Sequence, residues 1–198
     1  FYSCLYRTLL FPREFYEFDS QGNPVYYSPY DGNVYDGYMY TDNGFWDTFR
    51  AVHPMFTLLY PEVSERVTQS IINAYNESGF MPEWASPGHR GCMIGNNSIS
   101  WLTDAWMKGI RTICPEKALE AMIHQTEARH PGISSVGRDG FGYYDRLGYV
   151  PYPEVHEGTA KTLEYAYADW CVARFADSIG RKEIADTYYR KALNYRNL

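Results

Sequence analysis

No run of about 20 apolar residues occurs in the chain, so no segment reads as a membrane-spanning helix. Lys/Arg clusters are also missing, and 18 basic against 24 acidic residues leave a net charge of −6, which argues against a nucleic-acid surface. Cysteine is scarce and scattered: Cys4, Cys92, Cys114 and Cys171 form no CxxC pair and have no histidine at ligand spacing. That excludes a zinc ribbon and a disulfide framework, and the four read as small buried apolar residues. Nucleophile elbow, P-loop, dinucleotide fingerprint and EF-hand loop are all absent. By elimination, any chemistry carried here is carboxylate chemistry.

What the chain has in excess is aromatic: 20 Tyr, 10 Phe and 5 Trp make 18% of its 198 residues. Tyrosine and tryptophan suit surfaces that bind ligands both apolar and polar, sugars included, but they also serve as core. With 45% hydrophobic and 21% charged residues, the chain is not disordered, and its length fits about one domain.

The pattern along the chain is helix, loop, helix, loop, with alternate loops long. Residues 1–11 read as the end of an amphipathic helix stopped by Pro12, and residues 188–198 as a helix without a terminator, which suggests an excerpt of a longer protein. Residues 12–44 form an irregular aromatic segment rich in turn chemistry (Gly22-Asn23-Pro24, Asp31-Gly32-Asn33, Asp42-Asn43-Gly44), with room for a small hairpin. Phe45, Phe49, Val52, Phe56 and Leu59 give helical spacing over residues 45–60, kinked or divided at Pro54. A second helix is expected from Pro61 to Gly79, a third over residues 98–108 and a fourth from Pro115. A fifth spans about 159–179 and a sixth starts at Arg181, with Gly/Pro-rich loops at 80–95 and 131–158. This predicts a single all-α domain over residues 1–198, made of helical hairpins that gather their long loops at one end.

Candidate functional residues lie on those loops and helix starts. Asp47 follows Trp46 at the start of a helix, and a carboxylate beside an indole can hold a sugar's hydroxyls against an apolar wall. The plainer alternative is first-turn charge compensation with an i, i+3 pair to Arg50. Glu83, Trp84, His89 and Arg90 share one loop held by Pro82, Pro87 and Gly88, a set suited to a polyol or to a solvated loop anchored by its tryptophan. Asp104, Glu164 and Asp169 sit on apolar helices, where a carboxylate is costly unless paired. His156 and Glu157 precede the fifth helix and suit either a cap or a ligand.

Taken together, these stretches resemble a known family. Gly44-Phe45-Trp46-Asp47-Thr48-Phe49-Arg50 with His53-Pro54 and Leu59-Tyr60-Pro61-Glu62 resembles the helical catalytic domain of family 92 glycoside hydrolases, exo-acting α-mannosidases of which many are α-1,2-specific. Met81-Pro82-Glu83-Trp84, Met93-Ile94-Gly95 with Asp104-Ala105 and Lys108-Gly109-Ile110, and Leu147-Gly148-Tyr149-Val150-Pro151 with Thr162-Leu163-Glu164-Tyr165-Ala166-Tyr167 continue the match in order. The resemblance implies part of an (α/α)6 barrel, a preceding β-sandwich domain, and a calcium ion that binds and distorts the mannose. It also implies inversion by a carboxylic acid and a carboxylate base about 6.5–9.5 Å apart. The family's acid-bearing Glu-Gly-Asn-Ala-Trp and base-bearing Gly-Asn-x-Asp segments do not occur here, so no catalytic residue is assigned within this chain. Trp46 and Asp47 are the leading sugar contacts, followed by Glu83, His89 and Arg90, and then His156 and Glu157. The resemblance further implies a mannose-containing glycan as partner and an extracytoplasmic location, and the chain alone is expected to be inactive.

Two other readings remain open from the residues alone. Ala185 to Leu193 looks like one tetratricopeptide helix of an interaction module, although no repeat of about 34 residues recurs upstream. A different glycan-active enzyme on a helical toroid would share both architecture and carboxylate chemistry.

Overall fold

A computed structural model describes residues 1–198. About half the chain is helical, in nine α-helices, and the strands are short. Helix α1 (Tyr2–Thr8) buries none of its residues. The turn-rich segment after it is more ordered than one hairpin. Strand β1 (Arg13–Glu14) pairs antiparallel with β5 (Tyr40–Thr41), and β2 (Glu17–Phe18), β3 (Pro24–Tyr27) and β4 (Val34–Asp36) form a three-stranded antiparallel sheet in that order. The turn residues act as their chemistry dictates: Asp19 Oδ1 accepts the N–H groups of Gln21 and Asn23, and Asp31 Oδ1 accepts that of Asn33. Strand β6 (Asn43–Gly44) then pairs with β7 (Trp84–Ala85), joining two distant loops.

The stretch from Phe45 to Tyr60 is two helices, α2 (Phe45–Thr48) and α3 (Val52–Leu59), broken before Val52 and not at Pro54. Pro54 sits in the first turn of α3, where a backbone N–H has no intrahelical partner and its loss costs nothing. Helix α4 (Pro61–Ser78) starts on its proline and stops at Gly79, whose φ of +82° and N–H to the Tyr75 carbonyl make a left-handed cap. Helices α5 (Asn97–Met107) and α6 (Pro115–Glu127) follow. The expected loop at 131–158 contains a helix, α7 (Phe141–Leu147), set between the positive-φ glycines Gly140 and Gly148. Helices α8 (Gly158–Ser178) and α9 (Lys182–Lys191) end in a short 3₁₀ turn, Asn194–Asn197.

The core lies where α8 meets α5, α6 and α9. The small faces of Ala168, Ala173 and Ala176 let these helices approach, and Phe45, Phe56, Ile71, Trp101, Leu102, Met122 and Phe175 fill the space around them. Trp101 is fully buried and stacks on His53 with ring centroids 3.7 Å apart. Burial pushes the His53 imidazole down to about 2, so it stays neutral. Asp104 bonds Lys108 one turn on, at 2.7 Å. The cysteine expectation needs correction. Cys171 is buried, its thiol pushed up to about 12 by desolvation, but Cys4, Cys92 and Cys114 are exposed, because they lie on α1 and in loops outside the core. No helix is long and apolar enough to cross a membrane.

Candidate functional site

The long loops do gather. Tyr30 packs on His89 at 4.8 Å, the His89 ring lies 5.7 Å from that of His130, and Ser135 bonds the backbone of Arg90 and Cys92. Residues from 30 to 135 thus meet around the loop that carries β7.

Glu83 anchors this arrangement from beneath. It is only 3% exposed, and its carboxyl accepts bonds from Gln125 Nε2 (2.8 Å), Asn96 Nδ2 (3.3 Å), Ser98 Oγ (3.3 Å) and the Ser98 N–H (3.4 Å). Desolvation outweighs these donors and pushes its pKa up to about 8. Its carbonyl receives the Phe45 N–H at 3.2 Å, which fixes the start of α2 beside β7. Gln125 continues the support by bonding both the N–H and the carbonyl of Met81. Behind Asn96, Arg138 Nε donates to Asn96 Oδ1 at 2.7 Å and pairs with Asp169 at 2.7 Å, and Asp169 also takes the Tyr144 hydroxyl. A buried polar chain therefore runs from α6 under the site to α8. Asp169 is a satisfied core acid. Glu83 lies with these supporting groups and not on an open wall.

Above Glu83, two side chains converge on Gly44. A Cβ at this position would lie 2.8 Å from Trp84 Nε1 and 3.0 Å from Asp47 Oδ2. Only a glycine leaves room for both the indole N–H and the carboxylate to lie against the backbone at this position. Asp47 is exposed on the first turn of α2, and Arg50 does not pair with it. The Arg50 guanidinium instead lies over the Trp46 ring at 4.6 Å and reaches Glu164 Oε1 at 3.9 Å. Trp46 is half-buried, and its Nε1–H donates to the same Glu164 oxygen at 3.0 Å. The first-turn helix pair expected as the plainer alternative is thereby replaced by a long-range one.

Trp46, Asp47, Trp84 and Glu164 thus form one cluster: an indole wall, an unpaired carboxylate and an indole donor. Such a set can accept and donate hydrogen bonds to adjacent hydroxyls of one sugar ring. The other candidates lie elsewhere. His89 Nε2 bonds Ser78 Oγ at 2.8 Å, and burial with the nearby His130 pushes its pKa down to about 4. Arg90 is exposed, and its backbone N–H bonds the Trp84 carbonyl at 2.9 Å, so it holds the loop through its main chain. His156 and Glu157 are 87% and 52% exposed and pair with each other at 3.8 Å at the start of α8, about two turns before Glu164. The sequence singled out Glu164 as a carboxylate on an apolar helix, but not its link to Trp46, since 118 positions separate the two.

Nowhere do three His, Cys, Asp or Glu side chains converge as a metal-binding group. A calcium ion wants six to eight oxygen ligands, so these residues alone do not build its cage.

Residues 1–198 match the family model described as the glycosyl hydrolase family 92 catalytic domain. Among solved structures, the chain is similar to a family GH92 inverting mannosidase from Bacteroides thetaiotaomicron VPI-5482, with 87% identity and a TM-score of 0.99, over 100% of this chain and 27% of that one. A family GH92 α-mannosidase of Bacteroides thetaiotaomicron, solved with mannoimidazole, is 32% identical with a TM-score of 0.85, over 99% of this chain and 25% of that one. An uncharacterized secreted glycosidase of Arthroderma benhamiae is 27% identical over 138 residues, which is 65% of this chain and 18% of that protein. The chain spans about a quarter of the length of these solved relatives.

Proposed function

The chain belongs to glycosyl hydrolase family 92, and from that membership we propose that it is the part of a glycosidase that grips the terminal α-linked mannose of a glycan. The observation that carries this reading is the convergence of Asp47 and Trp84 over Gly44 within a chain that matches the family from end to end. Asp47 accepts hydrogen bonds from sugar hydroxyls, and a charged acceptor makes these stronger than neutral ones. Trp84 donates from its indole, and Trp46, held by Glu164 and Arg50, forms the apolar wall.

The finer parts of the reading rest on the family. The bond cleaved is α-1,2, and the outcome is inversion, in keeping with the 87% identical relative, which is an inverting mannosidase. Inversion needs an acid and a base on opposite sides of the sugar, and both lie outside residues 1–198. The helices belong to an (α/α)6 barrel completed by further chain, with a β-sandwich domain before it. Calcium belongs to the same proposal, with most of its oxygen ligands supplied from elsewhere in the protein. An extracytoplasmic location agrees with the secreted fungal relative.

Residues 1–198 assayed alone on α-1,2-mannobiose with calcium are expected to show no turnover, whereas the full-length protein releases mannose. Turnover by the isolated chain at the full-length rate would place acid and base among these residues and refute the proposal.

A further inference from the structure

Glu164 presents its two carboxylate oxygens to different tasks. Oε1 accepts the Trp46 Nε1–H at 3.0 Å and lies 3.9 Å from Arg50 Nη2. Oε2 takes no hydrogen bond from the chain and lies over the Gly95 turn, 3.1 Å from where a Cβ on Gly95 would be. Gly95 has a φ of +88°, and an added Cβ would also meet Asn97 Nδ2 at 2.7 Å. The turn at Gly95 thus leaves space in which the second oxygen stands. The side chain is 19% exposed, and that oxygen has no partner within the chain. An acceptor already held still by its sister oxygen loses little freedom when a ligand hydroxyl bonds it.

We infer that Glu164 is a specificity-determining sugar contact: Oε1 locks Trp46, and Oε2 accepts one hydroxyl of the mannose that Asp47 and Trp84 hold. The inference rests on the proposed mannose site and adds to it a residue from a different helix. A site built to bond a hydroxyl discriminates strongly against the analogue lacking it, because the buried acceptor is then left unpaired.

The test pairs protein variants with substrate analogues in the full-length protein. kcat/KM is measured for α-1,2-mannobiose and for versions deoxygenated singly at each hydroxyl of the non-reducing mannose, on wild type, Glu164→Gln and Asp47→Ala. Wild type is expected to lose about 10- to 100-fold at the hydroxyl that Glu164 accepts. Glu164→Gln keeps an oxygen for Trp46 but replaces the second acceptor by an amide, so the penalty at that one hydroxyl falls below about threefold while the others persist. If Glu164→Gln instead lowers activity uniformly and leaves every deoxy penalty as in wild type, Glu164 only positions Trp46 and the inference is wrong. Asp47→Ala separates the two levels: no loss of mannose recognition in that variant refutes the site itself, whatever Glu164 does.

Discussion

Arg138 and Asp169 meet at 2.7 Å with side chains 1% and 0% exposed, an ion pair sealed between the loop before α7 and the middle of α8. Its remaining valences are filled by Asn96, Tyr144 and the Tyr165 carbonyl. Removing one partner leaves the other charge buried and unpaired. Asp169→Ala is therefore expected to lower unfolding free energy by on the order of 3–5 kcal/mol, read from urea unfolding. A double variant, Arg138→Met with Asp169→Leu, is expected to be less destabilised than Asp169→Ala. A double variant worse than the single would show that the pair is net stabilising.

Gly44 gives a sharper probe of the site than any polar residue. Its φ of −92° suits any amino acid, so Gly44→Ala brings no backbone strain. The new methyl would press on Trp84 Nε1 and Asp47 Oδ2, at 2.8 and 3.0 Å, and push both side-chain ends aside. The expected outcome is a KM for mannosides raised about tenfold with stability changed by less than about 1 kcal/mol, measured by steady-state kinetics and thermal melting. An unchanged KM would mean that the two groups do not act together on the sugar.

Glu83 makes stability depend on pH in an uncommon direction. Its folded-state pKa, near 8, exceeds its unfolded value of 4.5, so the folded chain holds the extra proton between these limits. Stability from this group is full below about 4.5 and is lost as pH rises through 8. Glu83→Gln should flatten that part of the stability profile. A slope that survives the substitution would assign it to another group.

His89 acts oppositely. Its pKa lies near 4, below the ordinary 6.5, so its contribution is present above 6.5 and lost as pH falls toward 4. The loss should appear as earlier exchange of the amides of residues 84–92 with deuterium at pH 5 than at pH 7, after correction for intrinsic rates. Equal protection at both values would rule out His89 as a pH-sensitive tie for the loop.

The helix plan was legible wherever the ends carry their own chemistry: Pro61 and Gly79 delimit α4 as read, and Pro115 opens α6. Pro54 misled, because a proline in a first turn and a proline in mid-helix look alike until the break before Val52 is seen. Helix α7 hid in a glycine-rich stretch because seven residues give too few turns for a period to show. The candidate cluster was half legible. Trp46 and Asp47 are adjacent in sequence, and the structure adds Trp84 beside them through the β6–β7 pairing. Glu83, read beside Trp84, is instead buried at the bend just before β7. A buried acid needs donors, and only the fold shows that Gln125, Asn96 and Ser98 supply them. The stretch resembling a tetratricopeptide helix is α9, which buries Ala185 and Tyr188 against α8 and shows how a common amphipathic pattern serves unrelated folds.

The central claim is that Asp47, poised with Trp84 over Gly44, holds a terminal mannose. Calorimetric titration of mannoimidazole into the full-length protein and its Asp47→Ala variant tests it most directly. Loss of two charged hydrogen bonds is expected to weaken binding about 100-fold or more, with the thermal midpoint unchanged. Equal affinity in the two proteins would contradict the claim.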